Sequence, residues 1–163
     1  MKPIKKLTIS ALIVALYVII MYLTQGFAFG QYQIRIATSL YSMSYIYPFL
    51  VLPLGLANLL SNTIMGGLGL LDMFGGGIAG ILTAGAVYLI KRFKLNEWLI
   101  ALPIILLPGL LVPIWLSYLL NVPYLVLVSS ICIGQIIPGI LGVLIIKQMK
   151  KIALRNLFQL DKN

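Results

Sequence analysis

The chain has 163 residues, of which 61% are hydrophobic and only 9% charged, with a net charge of +9 and a mean hydropathy of +1.08. Soluble domains carry about 25% charged residues, so this composition excludes an ordinary soluble globule and marks an integral membrane protein. Histidine is absent and Cys132 is the single cysteine, which excludes an intrachain disulfide and a thiolate metal cluster and removes the usual general base.

Met1 to Lys6 is a basic cap, and the first span runs over residues 7–24, LTISALIVALYVIIMYLT. It is longer than a signal-peptide core and lacks an A-x-A pattern, so it is expected to be retained. Ala11 and Ala15 lie four apart on one helical face. Such a pair serves either close packing within the chain or docking of another membrane helix. Gly26 and Gly30 then break the helix, and Gln31 to Arg35 read as an extended loop. Arg35 is the only base between Lys6 and Lys91.

From Ile36 to Gly69 the chain is apolar but interrupted by Pro48, Pro53, Gly55, Asn58, Ser61 and Asn62. One kinked span or two short ones fit. Lys91, Arg92 and Lys94 belong on the cytoplasmic side with Lys2, Lys5 and Lys6, which requires an even number of crossings between them. Two spans are therefore expected, 36–50 and 53–69, both short or tilted.

Residues 66–88, GGLGLLDMFGGGIAGILTAGAVY, organise the chain. Asp72 is the only acid between Lys6 and Lys91. An acid at mid-bilayer costs at least about 2.5 kcal/mol, so Asp72 is either a site residue or half of an ion pair. Gly76, Gly80 and Ala84 follow at four-residue spacing, which favours close approach of a neighbouring helix. The fourth span is 73–90 and Lys91 to Glu97 a loop. The fifth span, 98–120, carries Pro103, Pro108 and Pro113, and neighbouring helices can satisfy the carbonyls these free. Asn121 to Pro123 form a turn, and the sixth span, 124–146, carries Gln135 and Pro138. The tail, 147–163, with Lys147, Lys150, Lys151 and Arg155 beside Leu154, Leu157 and Phe158, reads as an interfacial end drawn to anionic lipid. The expectation is an all-α membrane protein, one transmembrane domain over 1–163, six spans, both termini cytoplasmic, and Arg35, Asp72 and Asn121 at the outer ends.

No nucleophile–base pair, phosphate-binding loop or dinucleotide motif is visible, so neither an enzyme nor a bound cofactor or metal is expected. The basic residues sit at chain ends and in one loop, a pattern of membrane orientation and not of nucleic-acid binding. A binding site remains. Arg35 and Asp72 either pair with each other or face a ligand. A carboxylate accepts two parallel N–H bonds from an edge like that of a guanine-type base. Gln33, Asn58, Asn62, Asn121 and Gln135 offer amides, though polar amides in spans also serve interhelical bonds. Tyr32, Tyr41, Tyr45, Trp115 and Tyr118 offer stacking faces, though aromatics near membrane ends also serve as anchors.

Residues 8–151 resemble the substrate-binding S component of an energy-coupling-factor transporter. Ala11 and Ala15 within SALIVALYV resemble that family's Ala-x-x-x-Ala docking motif. FGQYQIRIATSL (Phe29 to Leu40), GGLGLLDMFGGGIAG (Gly66 to Gly80) and the region of Gln135 resemble its queuosine-precursor branch. The resemblance implies six membrane helices, a deazaguanine-type substrate held near the outer face, and separate partners: a membrane scaffold subunit and two cytosolic ATPases in a bacterial cytoplasmic membrane. The expected substrate-binding set is Asp72, Arg35, Gln33, Gln135, Asn62, Tyr41 and Trp115. Two departures stand out: the branch pattern has acids where this chain has Thr38 and Gln135. With less negative charge, the expected substrate is neutral or less cationic than an aminomethyl-deazaguanine, such as a nitrile form, or is a different heterocycle. An S component for another vitamin-like heterocycle, or a small standalone secondary transporter, are the competing readings; the latter usually shows inverted repeats and midplane ionisable residues, which this sequence lacks.

Overall fold

The computed structural model describes residues 1–66 and 68–160, with side chains described through 153. The described chain is helical. α1 spans Pro3–Leu23, the single turn α2 spans Gln25–Ala28, and a 3-10 helix spans Ile36–Tyr45. A short 3-10 turn, Pro48–Leu50, leads into α3, Val51–Ser61, which ends in one π-helical turn, Asn62–Gly66. α4 spans Leu70–Arg92, α5 Ala101–Leu120 and α6 Tyr124–Leu160. Among the described residues five helical stretches are long and apolar enough to cross a membrane: Pro3–Leu23, Pro48–Gly66, Leu70–Arg92, Glu97–Leu120 and Tyr124–Ala153.

The segment expected as a span over 36–50 is the element that differs. It is a 3-10 helix of ten residues, and the break falls at residues 46–47 instead of 50–53. Every residue from Ala37 to Tyr45 is buried, so the segment is threaded through the middle of the other helices. Its small side chains, Ala37, Ser39, Ser42 and Ser44, suit that crowded position. The 3-10 form rises about 2.0 Å per residue, so ten residues cover about 20 Å, more than an α-helix of equal length. Its two ends have different surroundings. Arg35, just before it, bonds to Asn58 and Asn62. At its far end the Lys91 ammonium donates to the Ile46 carbonyl at 3.4 Å, and Lys91 and Lys150 both lie over the Tyr45 ring. Lys6 lies over Phe49, and Lys150 pairs with Glu97, at the same end.

The small residues of α4 do permit close approach, and the partner lies within the chain. A Cβ on Gly55 would meet the Gly77 carbonyl oxygen at 2.9 Å, and one on Gly80 would meet the Tyr41 hydroxyl at 3.0 Å and the Gly55 Cα at 3.1 Å. α3 and α4 are thus in backbone contact, and the 3-10 helix reaches Gly80 through the Tyr41 hydroxyl. In α5, Pro103 falls in the first turn, where its missing N–H costs nothing, while Pro108 and Pro113 are internal. The Tyr124 hydroxyl of α6 donates to the Leu110 carbonyl at 3.0 Å, supporting the backbone beside Pro113. α1 is the least embedded helix: only Tyr17 and Met21 are buried, and Ala11 and Ala15 are exposed. Lys147, Lys150 and Lys151 of the basic tail continue α6; its Leu154, Arg155, Leu157 and Phe158 side chains lie outside those described.

Replacing Gly80 by Leu is expected to lower the detergent unfolding midpoint, an overpacking cost of about 1–3 kcal/mol. Gly85→Ala, where a Cβ makes only an ordinary 4.0 Å contact with Val51, should leave it unchanged or raise it.

Candidate functional site

The chain turns through Phe29 to Arg35 beside the start of α4. Gly69 caps α4 with φ +85°, a conformation that glycine adopts without a side-chain clash. That sharp entry puts Asp72 in the first turn, where the helix dipole favours a negative charge. Beside it the π-helical turn carries Asn62, and a cavity of about 440 Å³ opens between these elements and the facing ends of α5 and α6. Its polar wall comprises Gln33, Arg35, Asp72 and Ser130; its apolar wall includes Phe29, Leu68 and Leu127. The volume suits a small ligand.

Arg35 and Asp72 both line this cavity and are 4% and 2% exposed, yet no ion pair within 4.0 Å joins them among the described residues. Each is held by neutral partners. Arg35 Nη1 donates to Asn58 Oδ1 at 3.2 Å and to Asn62 Oδ1 at 3.1 Å, and Nε donates to the Ala28 carbonyl at 3.3 Å. Its guanidinium lies 4.8 Å from the centre of the Phe29 ring, a cation–π contact that strengthens when desolvated. The Trp115 indole N–H donates to Asp72 Oδ1 at 3.1 Å. Asp72 Oδ2 is buried and has no hydrogen-bond partner among the described residues. It faces Gly66, where a Cβ would come within 2.8 Å of it. Asn62 links the two charged residues, accepting from Arg35 and donating to the Asp72 backbone carbonyl at 2.9 Å. Both charged side chains thus line one cavity, and Asp72 Oδ2 beside it finds no donor among the described residues. No group of three or more His, Cys, Asp or Glu gathers among the described residues.

The residues expected at the site divide into three groups. Asp72, Arg35 and Gln33 line the cavity. Asn62 and Trp115 stand directly behind the charged pair, each bonded to it. Tyr41 and Gln135 are fully buried and away from the cavity wall. Tyr41 bonds to Tyr17 and Asn58. Gln135 accepts from Thr38 at 2.8 Å and donates to the Gln33 carbonyl at 2.7 Å, so both ends of its amide are used. Thr38 and Gln135 therefore touch each other and sit beneath the loop. Of the other aromatics, Tyr45 lies at the lysine end and Tyr118 is 77% exposed.

The sequence reading missed Phe29 and Ser130. Phe29 sits inside the FGQYQIR stretch, six residues before Arg35, and nothing in that spacing reports stacking. Ser130 donates to the Gln31 carbonyl at 3.0 Å, and Gly134 lets the loop lie on α6: a Cβ there would fall within 2 Å of the Tyr32 carbonyl oxygen. Gln33, bent to φ +45°, closes that loop.

A family model described as QueT transporter matches residues 7–151. No curated protein and no solved structure matched the chain.

Asn62→Leu should cost about 2–4 kcal/mol of stability, because it strands a buried guanidinium N–H and a backbone carbonyl together. Gln31→Ala, whose contribution to the loop is a backbone carbonyl, should change thermal unfolding little.

Proposed function

The chain belongs to the QueT transporter family, which makes it a multi-pass membrane transporter, and on that premise we propose that it is the substrate-capturing S component of an energy-coupling-factor importer for a deazaguanine-type queuosine precursor. The observation that carries this reading is the buried Asp72 oxygen, without a donor among the described residues, in a side chain that lines a ligand-sized cavity. Leaving a buried acceptor unmet is costly, and a ligand N–H removes the cost. An aminopyrimidinone edge supplies adjacent N–H donors for Asp72 and a carbonyl acceptor for Arg35. Phe29 and the aliphatic wall take the ring faces.

The cavity opens to the extracytoplasmic side, both termini are cytoplasmic, and the 3-10 helix makes the sixth crossing. Charge supports this orientation: Lys6, Lys91, Lys147 and Lys150 contact Phe49, Tyr45 and Trp98 away from the cavity, as basic residues on the cytoplasmic face do. The Thr38–Gln135 contact is neutral, which favours a neutral substrate such as the nitrile over the aminomethyl cation. Uptake energy comes from a membrane scaffold and two cytosolic ATPases. Ala11 and Ala15 form the docking face of α1, supported by their exposure and by an apolar groove of about 500 Å³ alongside, lined by Leu7, Ser10, Ala11, Val14 and residues of α3.

Calorimetry with the nitrile deazaguanine tests the site. Asp72→Asn is expected to weaken binding by more than about 2 kcal/mol; unchanged affinity reassigns Asp72 to structure, and a tenfold preference for the cationic amine overturns the neutral-substrate reading. Ala15→Leu should abolish co-purification with the scaffold and ATPases, and retained capture of that module would remove the docking role of this face.

A further inference from the structure

α1 carries the proposed docking face and packs on the core through Ile9, Ile13, Val14, Ile20 and Met21, but its polar link to the other helices is a single one. Among its described side chains, Tyr17 makes the one hydrogen bond that leaves the helix; those of Thr8 and Thr24 return to the carbonyls of Ile4 and Ile20. Tyr17 is fully buried, while Ala11 and Ala15 are exposed. At 100° per residue Tyr17 lies about 200° round the helix from Ala15, so it faces inward as that pair faces out.

What Tyr17 touches is not an arbitrary part of the core. Its hydroxyl is 3.1 Å from that of Tyr41, and the two rings lie 5.8 Å apart. The Tyr41 hydroxyl accepts from Asn58 Nδ2 at 2.8 Å, and Asn58 Oδ1 accepts from Arg35 Nη1. Three hydrogen bonds thus connect the inner face of α1 to the guanidinium at the cavity wall, with every intermediate side chain buried. Arg35 Nη2 makes no hydrogen bond among the described residues, so the guanidinium keeps a donor for a ligand. A ligand acceptor that pulled on Nη2 would turn the planar guanidinium. Nη1 belongs to that plane, so its bonds to Asn58 and Asn62 must adjust with it. Asn58 cannot adjust alone, because its Nδ2 also donates to the Gly76 carbonyl at 2.8 Å. The Tyr41 hydroxyl is the remaining freedom, and either tyrosine hydroxyl can be the donor between Tyr41 and Tyr17.

We infer that Tyr17 is a positioning residue for Arg35, and that the Tyr17–Tyr41–Asn58–Arg35 chain links occupancy of the cavity to the seating of α1. The link is reciprocal: what a ligand does to α1 through this chain, a partner seated on α1 does to the ligand. The meaning of the α1 outer face rests on the proposed docking role; the chain of contacts does not.

The experiment measures the distance between nitroxides on α1 and α5, at Leu16→Cys and Leu106→Cys in a Cys132→Ser background, both sites being exposed. Arg35→Lys, which keeps the charge and loses the planar fork, is expected to shift or broaden the distance distribution. In a Tyr17→Phe background the same substitution should have an effect about fivefold smaller or less. Equal shifts in both backgrounds, or no shift in either, overturn the inference. A second arm adds the nitrile deazaguanine. It should move the distribution of the parent protein and not that of Tyr17→Phe, and a ligand that binds both by calorimetry but moves both equally counts against the link. If the nitrile binds neither, the proposed substrate falls, and the Arg35→Lys comparison still decides the link. Thermal unfolding of each variant separates loss of fold from loss of coupling, because a merely structural Tyr17 would lower stability without changing the response to Arg35→Lys.

Discussion

The structure depends on burying a guanidinium without an acid to neutralise it. Removing a charge from water is tolerable only when hydrogen bonds replace its hydration. Arg35 finds those bonds in the Ala28 carbonyl and the amides of Asn58 and Asn62, with Phe29 beneath its plane. These partners come from the end of α2 and the loop after it, from α3 and from the π-helical turn, so the arginine requires all of them to converge. Convergence in turn needs Gly76 and Gly80: a Cβ on Gly76 would lie within 2.5 Å of Asn62 Nδ2. The small-residue stripe of α4 therefore makes room for the amides as well as for the backbone of α3.

Satisfying the arginine with neutral groups has a consequence for Asp72. A direct ion pair would have occupied both charges and left a closed structural contact. Among the described residues the carboxylate receives a single indole donor, and its other oxygen has no partner. Two opposite charges held apart on one wall form a polarised surface in a low-dielectric surround, where a ligand with matched donor and acceptor edges gains more than it would in water. The loop that completes the wall is anchored to α6 by Ser130, Gly134 and Gln135, so the wall is held in shape on both flanks.

The 3-10 helix ties this end of the molecule to the other. It starts beside Arg35 and finishes under Lys91 and Lys150, buried along its length. Thr38 reaches Gln135 on α6, Tyr41 reaches Tyr17 on α1 and Asn58 on α3, and Ser44 reaches the Ala84 carbonyl on α4 at 2.7 Å. A three-residue turn places Thr38, Tyr41 and Ser44 in vertical register, and the helices around the segment are knit to it at successive levels. An α-helix in the same place would have spread these groups over an arc of about 120°. The run IATSLYSMSY carries that threefold spacing, but a search for helical or alternating hydrophobic period does not look for it.

Much was legible beforehand because membrane solvation makes its demands on each segment separately. A stretch of about 20 apolar residues must be helical wherever its neighbours lie, so α1, α4, α5 and α6 follow from their own composition, and the rarity of Asp72 and Arg35 in such surroundings announced both. Gln33, Asn62 and Trp115 were reachable from residue type and position near span ends. Gln135 and Tyr41 were read in the same way, and the structure bonds them to neighbouring side chains and leaves them off the cavity wall: a buried amide or phenol looks alike in sequence whether a ligand or a neighbouring side chain satisfies it. Tertiary structure decides such cases, since hydrogen bonding is settled by which groups come within about 3 Å, and that depends on packing among segments distant in the chain. The same reason kept Phe29 and Ser130 from view, and left the choice between a paired and an unpaired Arg35 and Asp72 to the three-dimensional arrangement of Asn58, Asn62 and Trp115.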